Sequence, residues 1–164
     1  MSADLAAIYD AYGGALIAFA RNLTRSDADA RDVTQEIFCR LARNPVLLAE
    51  ARSPRAFLLT MAYRLAVDLH RRRAVRERHA AGPVEVFAPP AHPDETHFRQ
   101  AVAVAMSELP EEQRAVIHLK LWEALTFEEI AAVLDLSAHT AASRYRYGID
   151  KLRSLLRPVY EEIL

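Results

Sequence analysis

Apolar residues recur at three- and four-residue steps along most of the chain, the spacing that turns one side of a helix toward a core. From Asp4 to Leu23, the positions Leu5, Ile8, Tyr9, Tyr12, Leu16, Phe19 and Leu23 predict an amphipathic helix through Gly13-Gly14, a pair expected to bend or loosen it. Ser26 with Asp29 is the next start signal, opening a helix with Ala30, Val33, Ile37 and Leu41 inward and ending near Asn44-Pro45. The stretch VLLAEARS connects to Ser53-Pro54, where serine as cap and proline at the first helical position start a third helix. Phe57, Leu58, Met61, Ala62, Leu65, Ala66 and Leu69 line it.

The period is lost between His79 and Glu95, where four prolines and a glycine rule out a continuous helix. Fully extended, such a linker spans on the order of 55 Å, so the flanking halves can serve well-separated targets. Val84, Val86 and Phe87 within it suit a partner's groove. Beyond it, Phe98, Val102, Ala105, Met106 and Leu109 predict one helix, and Pro110 opens another over EEQRAVIHLKLWEAL.

The most specific pattern runs from Thr126 to Arg153. Thr126 with Glu129 is a capping box, and Phe127, Ile130, Ala131 and Leu134 share a face. Asp135-Leu136-Ser137 then breaks the period. Aspartate is one of the few non-glycines that tolerates positive φ, and Ser137 caps the helix that follows. In that second helix Ala141, Tyr145, Gly148, Ile149 and Leu152 face inward. Ser137, His139, Thr140, Ala142, Ser143, Arg144, Arg146 and Tyr147 remain outward or at the margins, as in a helix-turn-helix whose second helix enters a DNA major groove. A helical hairpin with a solvated polar face gives the same pattern.

Composition narrows the classes. The 164 residues are 52% hydrophobic and 26% charged, with net charge −1, so any nucleic-acid surface must come from clustering. One cluster stands out. His70, Arg71, Arg72, Arg73, Arg76 and Arg78 close the third helix against only Glu77, and with Phe57 and Tyr63 nearby they suit a single-stranded backbone and unstacked bases. A solvated helix end favoured by the helix dipole is the plainer reading. The single cysteine, Cys39, is expected to be a small core residue in a reducing compartment. No apolar run is long enough to span a bilayer and the N-terminus lacks the order of a signal peptide, so the expectation is a cytoplasmic protein without membrane insertion. The six histidines are scattered and show no ligand spacing with Cys39, so neither a catalytic set, a metal site nor a cofactor is expected.

The motifs DVTQEIF (Asp32–Phe38), SPRAFLLTMAYRLAVDLHRRR (Ser53–Arg73), LPEEQR, TFEEIAAVLDLS and TAASRYRYGIDKLR resemble, in the same order and over nearly the whole chain, the extracytoplasmic-function (group IV) sigma factors of the sigma-70 family. The resemblance implies an all-α fold of two small helical domains joined by a Pro-rich linker. Residues 1–78 would form a region 2-like bundle of three to four helices, 79–95 the linker, and 96–164 a region 4-like helix-turn-helix domain. It further implies a non-catalytic subunit that binds core RNA polymerase and directs initiation at chosen promoters, under an anti-sigma factor. Asp32, Gln35, Glu36 and Phe38 would meet the polymerase clamp. Phe57, Tyr63, Arg64, Arg71, Arg72 and Arg73 would take the melted strand of the minus-ten element, and the outward residues of Ser137–Tyr147 would read the minus-thirty-five duplex. Phe57, Tyr63-Arg64, Asp135 and Tyr147 stand where the family more often has Trp, Arg-Asn, Gly and Arg. A helix-turn-helix regulator, or a module that binds an anti-sigma factor or the polymerase without initiating, are the competing readings.

Overall fold

A computed structural model describes residues 4–76 and 93–163, and all the regular structure among them is helical. Four helices precede the undescribed segment: α1 (Leu5–Thr24), α2 (Asp27–Arg43), α3 (Val46–Ala49) and α4 (Pro54–Arg76). Four follow it: α5 (Pro93–Ser107), α6 (Glu111–Leu121), α7 (Phe127–Leu134) and α8 (Ala138–Ile163). The predicted linker lies mostly outside the described residues, but its last three positions, 93–95, belong to α5.

Local sequence explains most of the boundaries. Asp4 caps α1 by accepting from the Ala6 amide at 3.0 Å, and α1 runs unbroken through Gly13-Gly14. The expected loosening is absent because the Tyr9 ring closes over Gly13, 3.2 Å from where a Cβ would stand. Arg25 ends α1 in the left-handed region (φ 57°) with its amide on the Arg21 carbonyl. Ser26 and Ser53 accept from the Asp29 and Ala56 amides, each at 3.3 Å, and start α2 and α4. The connecting stretch after Pro45 contains a helical turn, α3, that puts Leu48 into the core. A single turn is too short to show a period.

One hydrophobic core crosses the midpoint of the chain. Leu16, Phe19 and Leu23 of α1, Ile37 and Leu41 of α2, and Leu58 and Leu59 of α4 join Val116 and Leu119 of α6 and Ile130 and Val133 of α7 in a continuous cluster. A satellite core of Met106, Leu109, Ile117, Leu152 and Leu156 ties α5 and α6 to α8. The helices α6 and α7 pack on α1 and α4 respectively, so the two halves are in contact. Size gives the reason. A helical unit of roughly 75 residues buries only about 60% of the surface its unfolded chain exposes, and the apolar faces left on α1 and α4 are covered by the other half.

Candidate nucleic-acid and partner surfaces

The helix α2 packs on α1, α3 and α4, and its opposite face looks outward. Asp32 and Gln35 are exposed there and Glu36 is half-exposed. Glu36 accepts from Arg40 Nε at 2.7 Å, a bond that holds its carboxyl below the ordinary carboxylate range. Phe38 meets the Tyr9 ring edge-on, with centroids 5.1 Å apart. Together with Ile17, Gln35 and Cys39 these rings line a groove of about 540 Å³ between α1 and α2. Cys39 is therefore a partly exposed groove wall, not the core residue expected.

Along α4 the predicted strand-binding residues divide. Arg64, Arg71 and Arg72 are exposed, while Phe57, Tyr63 and Arg73 are partly covered. Arg73 is held by Asp29, a carboxylate with only 5% exposure, through a 2.7 Å bond from Nη2 to Oδ1. His70 Nδ1 lies 3.1 Å from Glu111 Oε2 of α6. The basic run is thus partly neutralised within the chain. Local pattern marks Asp29 only as part of the α2 start signal; its partner stands 44 residues away.

The helix-turn-helix is built as its pattern predicts. Both capping-box bonds are present, Thr126 N–H to Glu129 at 2.7 Å and Glu129 N–H to Thr126 Oγ1 at 3.2 Å. Asp135 occupies the left-handed region at φ 56°, ψ 55°, and the Leu136 amide closes the turn on the Ala131 carbonyl at 3.0 Å. Ser137 accepts from the Thr140 amide at 3.0 Å and shares a 2.8 Å hydroxyl bond with Thr140. His139, Arg146 and Tyr147 are exposed, and Thr140, Ala142, Ser143 and Arg144 are half-covered. The Arg146 guanidinium lies over the Tyr147 ring, 5.1 Å from its centroid. Gly148 is buried where α8 crosses α6; a Cβ there would stand 2.6 Å from Ile117 Cδ1. Close crossing of α6 sets the pose of α8.

The contacts between the halves were invisible in the sequence. Arg55 Nε donates to Glu123 Oε2 at 3.1 Å, across 68 residues. The Glu123 carboxyl is buried and held below its ordinary range by His118 and by Arg55, against the opposing effect of burial. His118 Nε2 is 3.8 Å from Oε1, beyond hydrogen-bond reach, so the Arg55 fork is the firm contact. The His118 ring sits between Phe19 and Trp122, with centroids 5.2 and 5.4 Å away. Asn22 Nδ2 donates to the Arg114 carbonyl at 3.4 Å. Burial raises the Tyr63 hydroxyl pKa; Glu111 of α6 adds to the effect and Arg144 of α8 opposes it.

Residues 8–76 match Sigma-70 region 2 and residues 105–154 match Sigma-70, region 4. The chain belongs to the sigma-70 family. This sigma factor is 32% identical to the ECF RNA polymerase sigma factor SigL of Mycobacterium tuberculosis, over 95% of its own length and 90% of that protein's. It is 30% identical to the ECF RNA polymerase sigma factor SigK of Mycobacterium sp., over 92% and 82%. It is accordingly an alternative sigma factor of the extracytoplasmic-function group, whose work is to direct transcription initiation. Its fold is shared with the sigma factor RpoE from Bartonella quintana, solved in complex with the anti-sigma factor NepR: TM-score 0.78, 23% identity, 94% of this chain and 97% of that one. CnrH, solved with the cytosolic domain of CnrY, superposes with a TM-score of 0.64 at 25% identity, covering 94% and 88%. Among the described residues no helix is long and apolar enough to cross a membrane, and no cluster of His, Cys, Asp and Glu could hold a metal ion.

Proposed function

We propose that this sigma factor lends core RNA polymerase its promoter choice through three surfaces carried on three helices. The face of α2 bearing Asp32, Gln35, Glu36 and Phe38 docks on the clamp of the core enzyme. Phe57, Tyr63, Arg64 and Arg71 to Arg73 of α4 take the melted minus-ten strand by stacking and phosphate neutralisation. The front of α8, from Ser137 to Tyr147, enters the minus-thirty-five major groove. The observation that carries this reading is the outer face of α2. It stays exposed, with an apolar groove beside its polar residues, as a partner-binding face requires and a structural helix does not.

Within this reading the chain is non-catalytic and the chemistry belongs to the polymerase. It works in the cytoplasm, and an anti-sigma factor restrains it. Residues 1–78 and 96–164 are the working domains, with 79–95 between them. The competing readings lose ground because the family match spans both halves, whereas a helix-turn-helix regulator would use only the second.

Run-off transcription with purified core polymerase and a promoter library tests the function, and specific initiation is expected. Replacing Asp32, Gln35 and Glu36 by alanine should weaken recovery of core at unchanged helicity. Arg144→Ala and Arg146→Ala should each weaken duplex binding, by about 1–3 kcal/mol where a bidentate base contact is lost. Unchanged core recovery by the triple variant would remove the docking assignment, and unchanged DNA binding by both arginine variants would remove the orientation given to α8.

A further inference from the structure

The three consecutive arginines near the end of α4 do not share a face. Leu59, Ala62, Ala66 and Leu69 follow one another at three- and four-residue steps on the side of α4 turned to the core, and the next step of that stripe falls on Arg73. Arg72 and Arg71 lie about 100° and about 200° round the helix from it, and both are exposed. Arg73 continues the stripe inward and meets Asp29 in the first turn of α2.

The pair is a fork. Arg73 Nη2 donates to Asp29 Oδ1 at 2.7 Å and Nη1 touches Oδ2, so one guanidinium takes up both oxygens of the carboxylate. Asp29 is 5% exposed, and a carboxylate this deep is costly to leave without its partner. Arg73 therefore cannot turn to a phosphate without orphaning Asp29. Asp27, two residues earlier, makes the matching tie to α1, accepting from Arg21 Nε at 2.9 Å, so the start of α2 is fixed to both neighbouring helices by arginine. One turn beyond Asp29 stands Asp32, and Gln35 and Glu36 follow within about 10 Å along the axis. The turn of α2 that holds α4 is thus the one from which the outward polar face begins.

We propose that Asp29 and Arg73 are a positioning pair for promoter opening: the fork fixes the C-terminal end of α4 to the start of α2, so that polymerase docked on α2 presents Arg71 and Arg72 to the melted strand, and Arg73 itself touches no nucleic acid. This rests on the sigma-factor reading above and narrows it. The phosphates fall to Arg71 and Arg72, and their aim falls to Arg73. For the first two the charge is what matters, and for the third the geometry of the fork.

The test uses holoenzyme assembled from the full chain and core polymerase. Its DNA is a promoter fragment with the minus-ten element either paired, with a fluorescent purine analogue to report opening, or already single-stranded. On the single-stranded form Arg72→Ala should make the dependence of log affinity on log salt shallower by about 0.7, the share of one phosphate contact, whereas Arg73→Gln should leave that slope unchanged. On the paired form Arg73→Gln and Asp29→Asn should each slow opening roughly tenfold at unchanged affinity for core, because the two charge-assisted bonds of the fork are lost. Arg73→Lys separates charge from geometry: a phosphate contact survives it, but a planar fork does not, so opening should slow as in Arg73→Gln. Asp29→Asn combined with Arg73→Gln leaves no unpaired charge in the core and keeps the two side chains in bonding reach, so it should fold where a single variant fails and open faster than either. A shallower salt slope in Arg73→Gln, or wild-type opening in Arg73→Lys, would make Arg73 a nucleic-acid contact and overturn the proposal. Wild-type opening in Asp29→Asn, or a double variant no faster than the single ones, would overturn it as well. An unchanged slope in Arg72→Ala would instead remove the strand-capture reading, so the two failures are told apart.

Discussion

Gly148 is the position where the pose of the recognition helix is most open to measurement. A helix-interior glycine normally gains about 0.5–1 kcal/mol on replacement by alanine, because the unfolded chain has less freedom to lose. Here the new methyl would stand 2.6 Å from Ile117 Cδ1 and 3.3 Å from Gln113 Cβ. Ile117 is fully buried, so its terminal methyl can yield only by disturbing the satellite core around Met106, Leu109 and Leu152. Overpacking of this kind costs about 1–3 kcal/mol, so Gly148→Ala should be net destabilising by up to about 2 kcal/mol. Ile117→Val alone should cost about 0.5–1.5 kcal/mol for the methyl removed. Combined, the alanine methyl occupies the space that Cδ1 vacates, and the double variant should lie near wild type, a favourable coupling of about 1–3 kcal/mol. Urea unfolding of all four proteins measures the cycle, with duplex binding by Gly148→Ala as a second readout of helix pose. If Gly148→Ala stabilises by the full helical gain, or the two effects simply add, the close crossing of α6 and α8 does not set that pose.

Two further outcomes follow from particular residues. Asp135→Gly should stabilise the chain by up to about 1 kcal/mol in thermal unfolding, because glycine holds φ 56° without a Cβ penalty; destabilisation would mean that the aspartate side chain supports the turn. The contact between α4 and α6 should depend on pH through His70, whose bond to Glu111 raises its pKa above 6.5 against burial and the nearby Arg114, while the Thr24 backbone adds to the rise and Glu111 is itself lowered below 4.5. A raised histidine contributes fully below the unfolded value and loses that contribution as pH rises through the folded one, so the tie is strongest between about pH 4.5 and 6.5 and weakens above. Stability in urea unfolding should therefore fall as pH rises past neutrality, and His70→Gln should flatten that fall; an unchanged pH profile in His70→Gln would refute the tie.

Much of the architecture was legible because its signals are local. Caps at Ser26, Ser53, Thr126 and Ser137 stand beside the helices they start, and Asp135 had to take positive φ once the period broke there. What escaped was either too short or too distant. A turn as brief as α3 carries no period, and α8 runs on past the Thr126–Arg153 pattern, through Pro158, to Ile163. Leu59 falls outside the stripe expected on α4, yet it is buried because α4 is covered on more than one side. Asp29–Arg73 and Arg55–Glu123 join residues 44 and 68 apart, and nothing local marks such partners. The same limit applies to the surfaces: nothing in the helical spacing shows that Glu111 of α6 and Arg144 of α8 bear on the Tyr63 hydroxyl.

The sole tryptophan of the chain, Trp122, sits at the seam. It is half-exposed, stacked on His118 at an interplanar angle of 21°, and next in sequence to the glutamate that receives Arg55. An indole lying flat on an imidazole has its emission quenched when that ring carries a proton, and a half-solvated indole shifts colour when its cover changes. The unlabelled protein therefore carries its own optical gauge, a single fluorophore whose colour and brightness report, in real time and with no dye attached, whether the two parts of the chain are together.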